Sequence, residues 1–587
     1  MAQPSERRMG KRVGNKEGAK ASAVPDIAIA RVAGLAALVS LFSFFYYFQH
    51  SELLLYGDAV AHINIARRVF DSQTPGLLQL GTVWLPLPHL LMIPFIFADT
   101  MWQKGAGGSI PSMMAYVFAV VGIFRLTRGM LQADPRTRQA AGLGAGVAAF
   151  VYGANPNLVY MQATAMTESI YLALFIWASV YFAEFLRSWR KSDGLGDAPR
   201  VEDAKVGFTP AAGSPLARCA WCLSGAELTR YDGWFLAGVM GTAVVVMALR
   251  GRPDRFVGAN DFGSRALRRA AVKFVLSIAV APVLWLAYNG AVYGNALEFA
   301  NGPYSAKAIE HRVGAPNPAF HNVAVAGLYF LKSAQLNMAD GNWGRFWLTG
   351  ALLALAIGSW KLRAQSVALL LLWVPLVFYA LSIAYGSVPI HVSTWWPFAT
   401  FNQRYGLQLL PMFAVSTGLL VALAFRMVAP GRHAGKLVAV LFALVIGGYA
   451  SIWLDPQCLK EARRNWQIRN PLNSAVERLV ASLPRHSLFL MDLGEHVGVM
   501  EQAGIPLRQV VNNENHRAWI RPSDPEGLWE RALADPARYV DFVIAFDGDL
   551  VDQGMNRANL IELTEIHATG QPHAHIYATR RSPNLAR

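Results

Sequence analysis

The stretch IAIARVAGLAALVSLFSFFYYFQHSELLLYGDAVAHINIARR (27–68) decides the fold class. Its first part, roughly 27–48, is one apolar run, and about twenty such residues cross a bilayer. The run is too long for the core of a cleaved signal peptide and lacks a small-residue cleavage motif. It closes on the aromatic belt FSFFYYF (42–48), so it reads as a retained first membrane helix. Just beyond it, Asp58 and His62 stand four residues apart. In a helix here, Asn64, Arg67, Arg68 and Asp71 form a polar stripe, with Ala59, Ile63, Ala66 and Phe70 roughly opposite. Asp58 and His62 lie together beside the apolar stripe and off the charged one. That position leaves two roles open for Asp58, a helix cap and a catalytic base.

The rest of the composition agrees with a membrane protein. Of 587 residues, 54% are hydrophobic and 16% charged, with mean hydropathy +0.28. Soluble domains carry about 25% charged residues. The expected class is an all-α polytopic membrane protein with a small C-terminal α/β domain. The net charge of +15 sits in short blocks between apolar runs, which fits cytoplasmic loops and speaks against nucleic acid as a partner. Three cysteines make no disulfide framework.

Charge also threads the chain. Basic clusters at Arg125/Arg128/Arg136/Arg138, Arg187/Arg190/Lys191, Arg250 to Arg269, Lys361/Arg363 and Arg426/Arg432/Lys436 all fit the cytoplasmic side, with the N-terminus. This gives eleven spans, near 27–49, 109–130, 139–154, 168–188, 214–229, 232–250, 270–292, 346–361, 365–385, 405–427 and 436–454. The segment VWLPLPHLLMIPFIF (83–97) holds three prolines and is too short to span, so it is expected to be re-entrant or interfacial on the outer face. The polar stretches then share the outer side: Asp58/His62, NPNLVYMQATAMTES (155–169), TRYDGW (229–234), the loop 293–345 and TWWPFATFNQRYG (394–406).

After residue 454 the composition changes. SLFLMD (487–492), LRQVVNN (507–513), VDFVIAF (540–546) and HIYATR (575–580) read as strands, alternating with helical segments near 472–482 and 525–534. The expected organisation is a disordered basic cytoplasmic tail (1–25), a membrane domain (26–454) and an extracytoplasmic α/β domain (455–587). GLGAG (142–146) lies inside a membrane helix and indicates no dinucleotide site.

Several ionisable residues stand where apolar helices begin. Glu168 opens ESIYLALF, Arg230 and Asp232 sit in a short break between apolar runs, and Arg404 precedes YGLQLLPMF. Such groups are either paired for structure or functional. An arginine there suits either a phosphate or a lipid headgroup. Two further motifs read as structural. CAWC (219–222) lies within an apolar helix and reads as packing. The histidines of HATGQPHAH (567–575) lack a frame of cysteines or carboxylates in sequence and read as surface residues.

In order along the chain, GDAVAHINIARRVFDS, GTVWLPLPHLLMIPF, NPNLVYMQATAMTES, LTRYDGW, YNGAVYGNALEF and NQRYGLQLLP resemble the polytopic lipid-carrier-dependent glycosyltransferases of the GT-C fold. That group contains the protein O-mannosyltransferases and the lipid A aminoarabinose transferase. The resemblance implies Asp58 as base, Glu168 as a second outer acid, and Arg404 with Tyr405 beside the carrier phosphate. His62, Trp84, His89, Arg230, Asp232, Tyr304 and Lys307 complete the candidate substrate-binding set. Two departures stand out: Ala59 follows Asp58 where the O-mannosyltransferases usually carry Glu, and Asp232 replaces a frequent Glu.

The chemistry implied is transfer of a sugar from a polyprenyl-phosphate donor in the bilayer to a glycan, lipid or protein acceptor outside the cytoplasmic membrane. One base opposite the leaving phosphate predicts inversion. No resident metal is assigned, although Asp58, Glu168 and Asp232 are carboxylates of the kind that hold a divalent cation. The alternatives are a transporter or flippase for a lipid-linked or anionic solute, and an O-antigen ligase or polymerase. A transporter is expected to show repeated halves, and none is found.

Overall fold

The computed structural model describes residues 26–192, 214–250, 262–313, 317–341, 343–361, 366–386, 388–427, 432–515 and 527–582. The tail 1–25, Arg252, Arg255, Arg363 and the Asp524–Pro525 helix start lie outside them. The chain is mostly helical. In order run α1 (Ile27–Gln49), α2 (Gly57–Arg68), α3 (Leu87–Met92), α4 (Asp99–Gln103), α5 (Ala106–Gln132), α6 (Ala141–Gly153), α7 (Pro156–Met161) and α8 (Glu168–Ser192). Next come α9 (Pro215–Glu227), α10 (Tyr231–Leu249), α11 (Phe262–Tyr293), α12 (Glu298–Asn301), α13 (Ala306–Val313) and α14 (Val323–Leu336). Finally, α15 (Trp343–Lys361), α16 (Ser366–Leu371), α17 (Val374–Tyr385), α18 (Leu410–Met427) and α19 (Arg432–Trp453) lead to α20 (Gln457–Ser482).

All eleven expected segments are helical, but eight helices among the described residues are long and apolar enough to cross a membrane. α6 and α9 have 13 residues each. At 1.5 Å per residue that is about 20 Å, short of a hydrocarbon core of about 30 Å. In α15 the apolar run is cut down by Trp343, Arg345 and Lys361 at its ends. α6 is instead packed closely against α18 through glycine: a Cβ on Gly144 would come within 2.6 Å of the Gly418 carbonyl oxygen. The proline-rich segment 83–97 forms only α3 and a 3₁₀ turn at Ile93–Phe95, so it does not span.

One expectation changes. The loop 293–345 is not a plain loop, because it contains α12, α13 and the apolar α14, which packs on α17 and on the 3₁₀ segment Gln403–Leu409. The polar stripe of α2 is turned away from solvent. Arg67 pairs with Asp71 at 2.8 Å and Asp99 at 2.6 Å, while Asn64 donates to Glu501 at 2.8 Å. The charged face is thus turned inward onto α4 and the C-terminal part of the chain.

That C-terminal part holds a five-stranded sheet in the order β2-β1-β3-β5-β4. Its strands are β1 (Phe489–Met491), β2 (Val510–Val511), β3 (Phe542–Phe546), β4 (Ile561–Ile566) and β5 (Ala574–Ala578). β1 is parallel to β2 and β3, whereas β5 is antiparallel to β3 and β4. β1 and β3 are buried along their whole length, as runs covered on both faces must be. Phe489 and Met491 share a core with Leu472, Val476 and Val480 of α20, while Leu490 points to a second core with Val543 and Trp529. β4 was not expected: IELTEI is an edge strand with mostly exposed side chains, so it lacks a buried apolar signature.

Candidate functional site

The site is built where four helix starts meet. Asn155 caps α7, accepting from the N–H groups of Asn157 and Leu158, with Pro156 at the first helical position. The chain then turns to start α8 at Glu168, which is fully buried. Arg230 precedes α10, and Asp232 lies in its first turn. Asp58 lies in the first turn of α2, whose start has no side-chain cap, so the capping role is not what the structure displays. Arg404 lies in the 3₁₀ segment Gln403–Leu409.

Arg404 ties these starts together. Its Nη2 donates to Asp58, its Nε to Glu168 Oε1 at 3.2 Å, and its Nη1 to Glu461 Oε1 at 3.2 Å. Arg230 completes the ring, donating to Glu168 Oε1 at 3.4 Å, Thr167 Oγ1 at 3.2 Å and Asp232 Oδ1 at 3.3 Å. Tyr379 accepts from Arg230 Nη2 at 3.1 Å and donates to Asp232 Oδ2 at 3.1 Å. The Tyr405 ring lies 5.1 Å from the Arg230 guanidinium and 5.0 Å from that of Arg404, so one aromatic ring contacts both cations. Four carboxylates thus face two guanidiniums. Of the four, Asp58 is the open one, 38% exposed against 1% for Glu168. Glu168 Oε2 is buried with no hydrogen-bond partner among the described residues.

Glu461, Tyr379 and Tyr56, whose ring lies 5.0 Å from the Arg404 guanidinium, are the residues that the sequence reading missed. Glu461 comes from α20, beyond the change in composition, and accepts from the backbone N–H groups of Asn402 and Gln403. Asn402 adopts φ +55°, the left-handed region that asparagine tolerates, which lets both N–H groups converge on one carboxylate. A signal existed. Glu461, Asn465, Arg469, Leu472, Val476 and Val480 fall on one helical face, and Asn465 and Arg469 brace Gly57 and Leu55.

His62 is turned away from an orienting role toward Asp58: its Nδ1 meets His89 Nε2 at 2.9 Å, and Trp84 packs 4.7 Å from its ring. Burial first, then Arg230 and Arg404, pushes the His62 pKa down to about 3, and burial lowers His89 as well. Both imidazoles are neutral near pH 7. Tyr304 and Lys307 do not join the cluster. Tyr304 donates to Asp492 of the C-terminal part at 2.9 Å, and Lys307 is exposed on α13. Among the described residues, no three ligand atoms of the kind that hold a metal converge at the Asp58–Arg404 cluster.

No protein-family model matches the chain, and no curated protein matches it in sequence. Solved structures do match. ArnT from Cupriavidus metallidurans, bound to undecaprenyl phosphate, is similar over 94% of this chain and 98% of that one, at 12% identity and TM-score 0.51. The Archaeoglobus fulgidus oligosaccharyltransferase tethered with an acceptor peptide is similar over 94% of this chain and 74% of that one, at 12% identity and TM-score 0.45. The first likeness carries the assignment of class. The chain is a multi-pass membrane protein of the GT-C fold, with a small C-terminal sheet.

Proposed function

We propose that this protein is a glycosyltransferase that moves a sugar from a polyprenyl-phosphate donor to an acceptor on the extracytoplasmic face of the cytoplasmic membrane, with inversion. The N-terminus is then cytoplasmic and the domain 455–587 extracytoplasmic. The observation that carries the reading is the pairing of the open Asp58 with the buried Arg404. In the step, the acceptor hydroxyl gives its proton to the Asp58 carboxylate and its oxygen bonds to the anomeric carbon. The bond from that carbon to the phosphate oxygen breaks, and its electron pair leaves on the polyprenyl phosphate. Arg404 neutralises that leaving charge, exchanging one of its carboxylate contacts for the phosphate. A sugar hydroxyl donating to Glu168 Oε2 relieves the unpaired buried oxygen, a penalty of about 1–3 kcal/mol.

Support for a lipid-linked donor comes from an apolar groove of about 310 Å³ between α14 and α17, lined by Leu328, Leu331, Val377 and Leu381. Its α17 wall belongs to the helix that also carries Tyr379, which reaches Arg230 from another face of that helix. The test is transfer by purified protein from a polyprenyl-phosphate sugar. Asp58→Asn is expected to lower the rate about 10²–10⁴-fold while donor binding persists. Wild-type transfer by the variant would remove Asp58 as base, and solute movement across vesicles without a covalent product would make the protein a transporter.

A further inference from the structure

The β4–β5 hairpin carries a concentration of ligating groups that plays no part in the proposed transfer. β4 pairs with β5 in the register Glu565↔His575, Thr564↔Ile576 and Glu562↔Tyr577, with a shift between Glu562 and Thr564. In an unbroken strand Glu562 and Glu565 would point to opposite faces. The extra residue, Leu563, brings both onto the face of His575, which is how a β-bulge re-aims side chains. The carboxylate frame that the sequence HATGQPHAH lacks is therefore supplied by tertiary structure.

Asp547, just past β3, completes that frame. Its Oδ2 accepts from the His573 backbone N–H at 3.2 Å, and its Oδ1 lies 3.1 Å from His575 Nε2. His575 Nδ1 is 2.8 Å from Glu562 Oε1, so this ring is held between two carboxylates. Glu565 Oε1 stands at the centre, 2.9 Å from His573 Nδ1 and 3.6 Å from His567 Nε2. The His567 and His573 rings meet edge to face, with centroids 4.1 Å apart, and the three ligand atoms lie within 4.8 Å of one another.

We propose that Glu565, His567 and His573 form a binding site for a divalent transition-metal ion of the Zn²⁺ type, with Asp547 available as fourth ligand and His575 positioning Asp547 and Glu562. Two imidazoles and a carboxylate are a borderline donor set that Zn²⁺ accepts, whereas Ca²⁺ and Mg²⁺ take oxygen ligands. Tetrahedral Zn²⁺ with bonds of about 2.0 Å sets its ligand atoms roughly 3.3 Å apart. The observed 2.9 and 3.6 Å bracket that spacing, so small rotations of exposed side chains close the site. Ion pairs this exposed contribute little by themselves. A bound ion would fix the loop between β4 and β5, whose Gln571 donates to the Ile468 carbonyl of α20. That contact braces the helix that carries Glu461.

The test uses the full chain in detergent, stripped with a chelator and titrated with Zn²⁺ by calorimetry. One ion per chain is expected at this site. His567→Ala and His573→Ala should each weaken binding at least about tenfold and abolish the Zn²⁺-induced rise in thermal midpoint. His486→Ala, an exposed histidine outside the cluster, should leave both unchanged. Co²⁺ should give the visible absorption of a tetrahedral site in the wild type only. Because both variants alter exposed side chains, unchanged circular dichroism separates lost binding from lost folding. Equal Zn²⁺ affinity in the wild type and in both variants, or no binding in the wild type, overturns the proposal. Neither result bears on glycosyl transfer.

Discussion

In the helical part Arg404 is 8% exposed and meets three carboxylates; on the β4–β5 hairpin His567 is 60% exposed and reaches Glu565 at 3.6 Å. Both clusters combine basic nitrogen with carboxylate, yet burial gives them different physics. Arg404, Glu168 and Glu461 are withdrawn from water, so each charge needs its partner, and losing one leaves another stranded in low dielectric. Around His567 water and salt screen every pair, and side chains are free to rearrange around an incoming ion. The buried cluster suits a fixed electrostatic template. The exposed one suits exchangeable binding.

The contrast breaks most visibly at Arg404. Arg404→Ala should destabilise the protein by about 3–5 kcal/mol, read as a fall in thermal midpoint in detergent, because Asp58, Glu168 and Glu461 lose their common counter-ion. Glu461→Gln is a smaller perturbation, about 1–3 kcal/mol, since the amide keeps one acceptor but sets an N–H against a backbone donor. If Glu461 positions Arg404, this variant also raises KM for the polyprenyl-phosphate donor more than it lowers kcat.

Acidity sharpens the comparison further. His62 is held neutral, with its pKa near 3, while an unfolded imidazole titrates near 6.5. Between those values the unfolded chain binds more protons, so stability falls as pH drops from about 6.5 toward 3. His62→Gln should flatten that slope in a series of melts. Glu501 behaves in the opposite sense. Burial raises its pKa to about 8, so the folded state holds the extra proton and stability is lost as pH rises from about 4.5 through 8. Glu501→Gln, which keeps the contact with Asn64, should therefore melt higher than wild type above pH 8. The smallest effect belongs to the exposed cluster. Without metal, His573→Ala should change stability by no more than about 0.5 kcal/mol, and high salt should leave that difference near zero.

Much of the candidate site was legible because its residues interrupt apolar sequence. Asp58, Glu168, Arg230, Asp232, Arg404 and Tyr405 each stand at the start of a helix, where hydropathy changes abruptly, and the structure brings them together. Tyr379 gave no such signal, since a tyrosine inside an apolar helix looks like any packing residue. Glu461 lay on the far side of a composition change that suggested a separate unit, whereas α20 continues from the membrane helices into the sheet's core. Tyr304 and Lys307 stand apart from this cluster, Tyr304 against Asp492 and Lys307 exposed on α13, a placement that no local pattern in the sequence displayed.

Hydropathy and loop charge, which are local and additive along the chain, were enough to determine a multi-pass helical protein with an α/β C-terminal part. They also located the helix starts that carry ionisable groups. Tertiary structure alone decided which charges meet: that Arg404 is shared by Asp58, Glu168 and Glu461, that His62 turns to His89, and that Glu565 stands between His567 and His573. The reason is geometric. The contacts of Arg404 reach 57 to 346 positions along the chain and depend on how helices pack, and a strand's side-chain facing reverses with a single bulged residue. Neither is written in the local pattern.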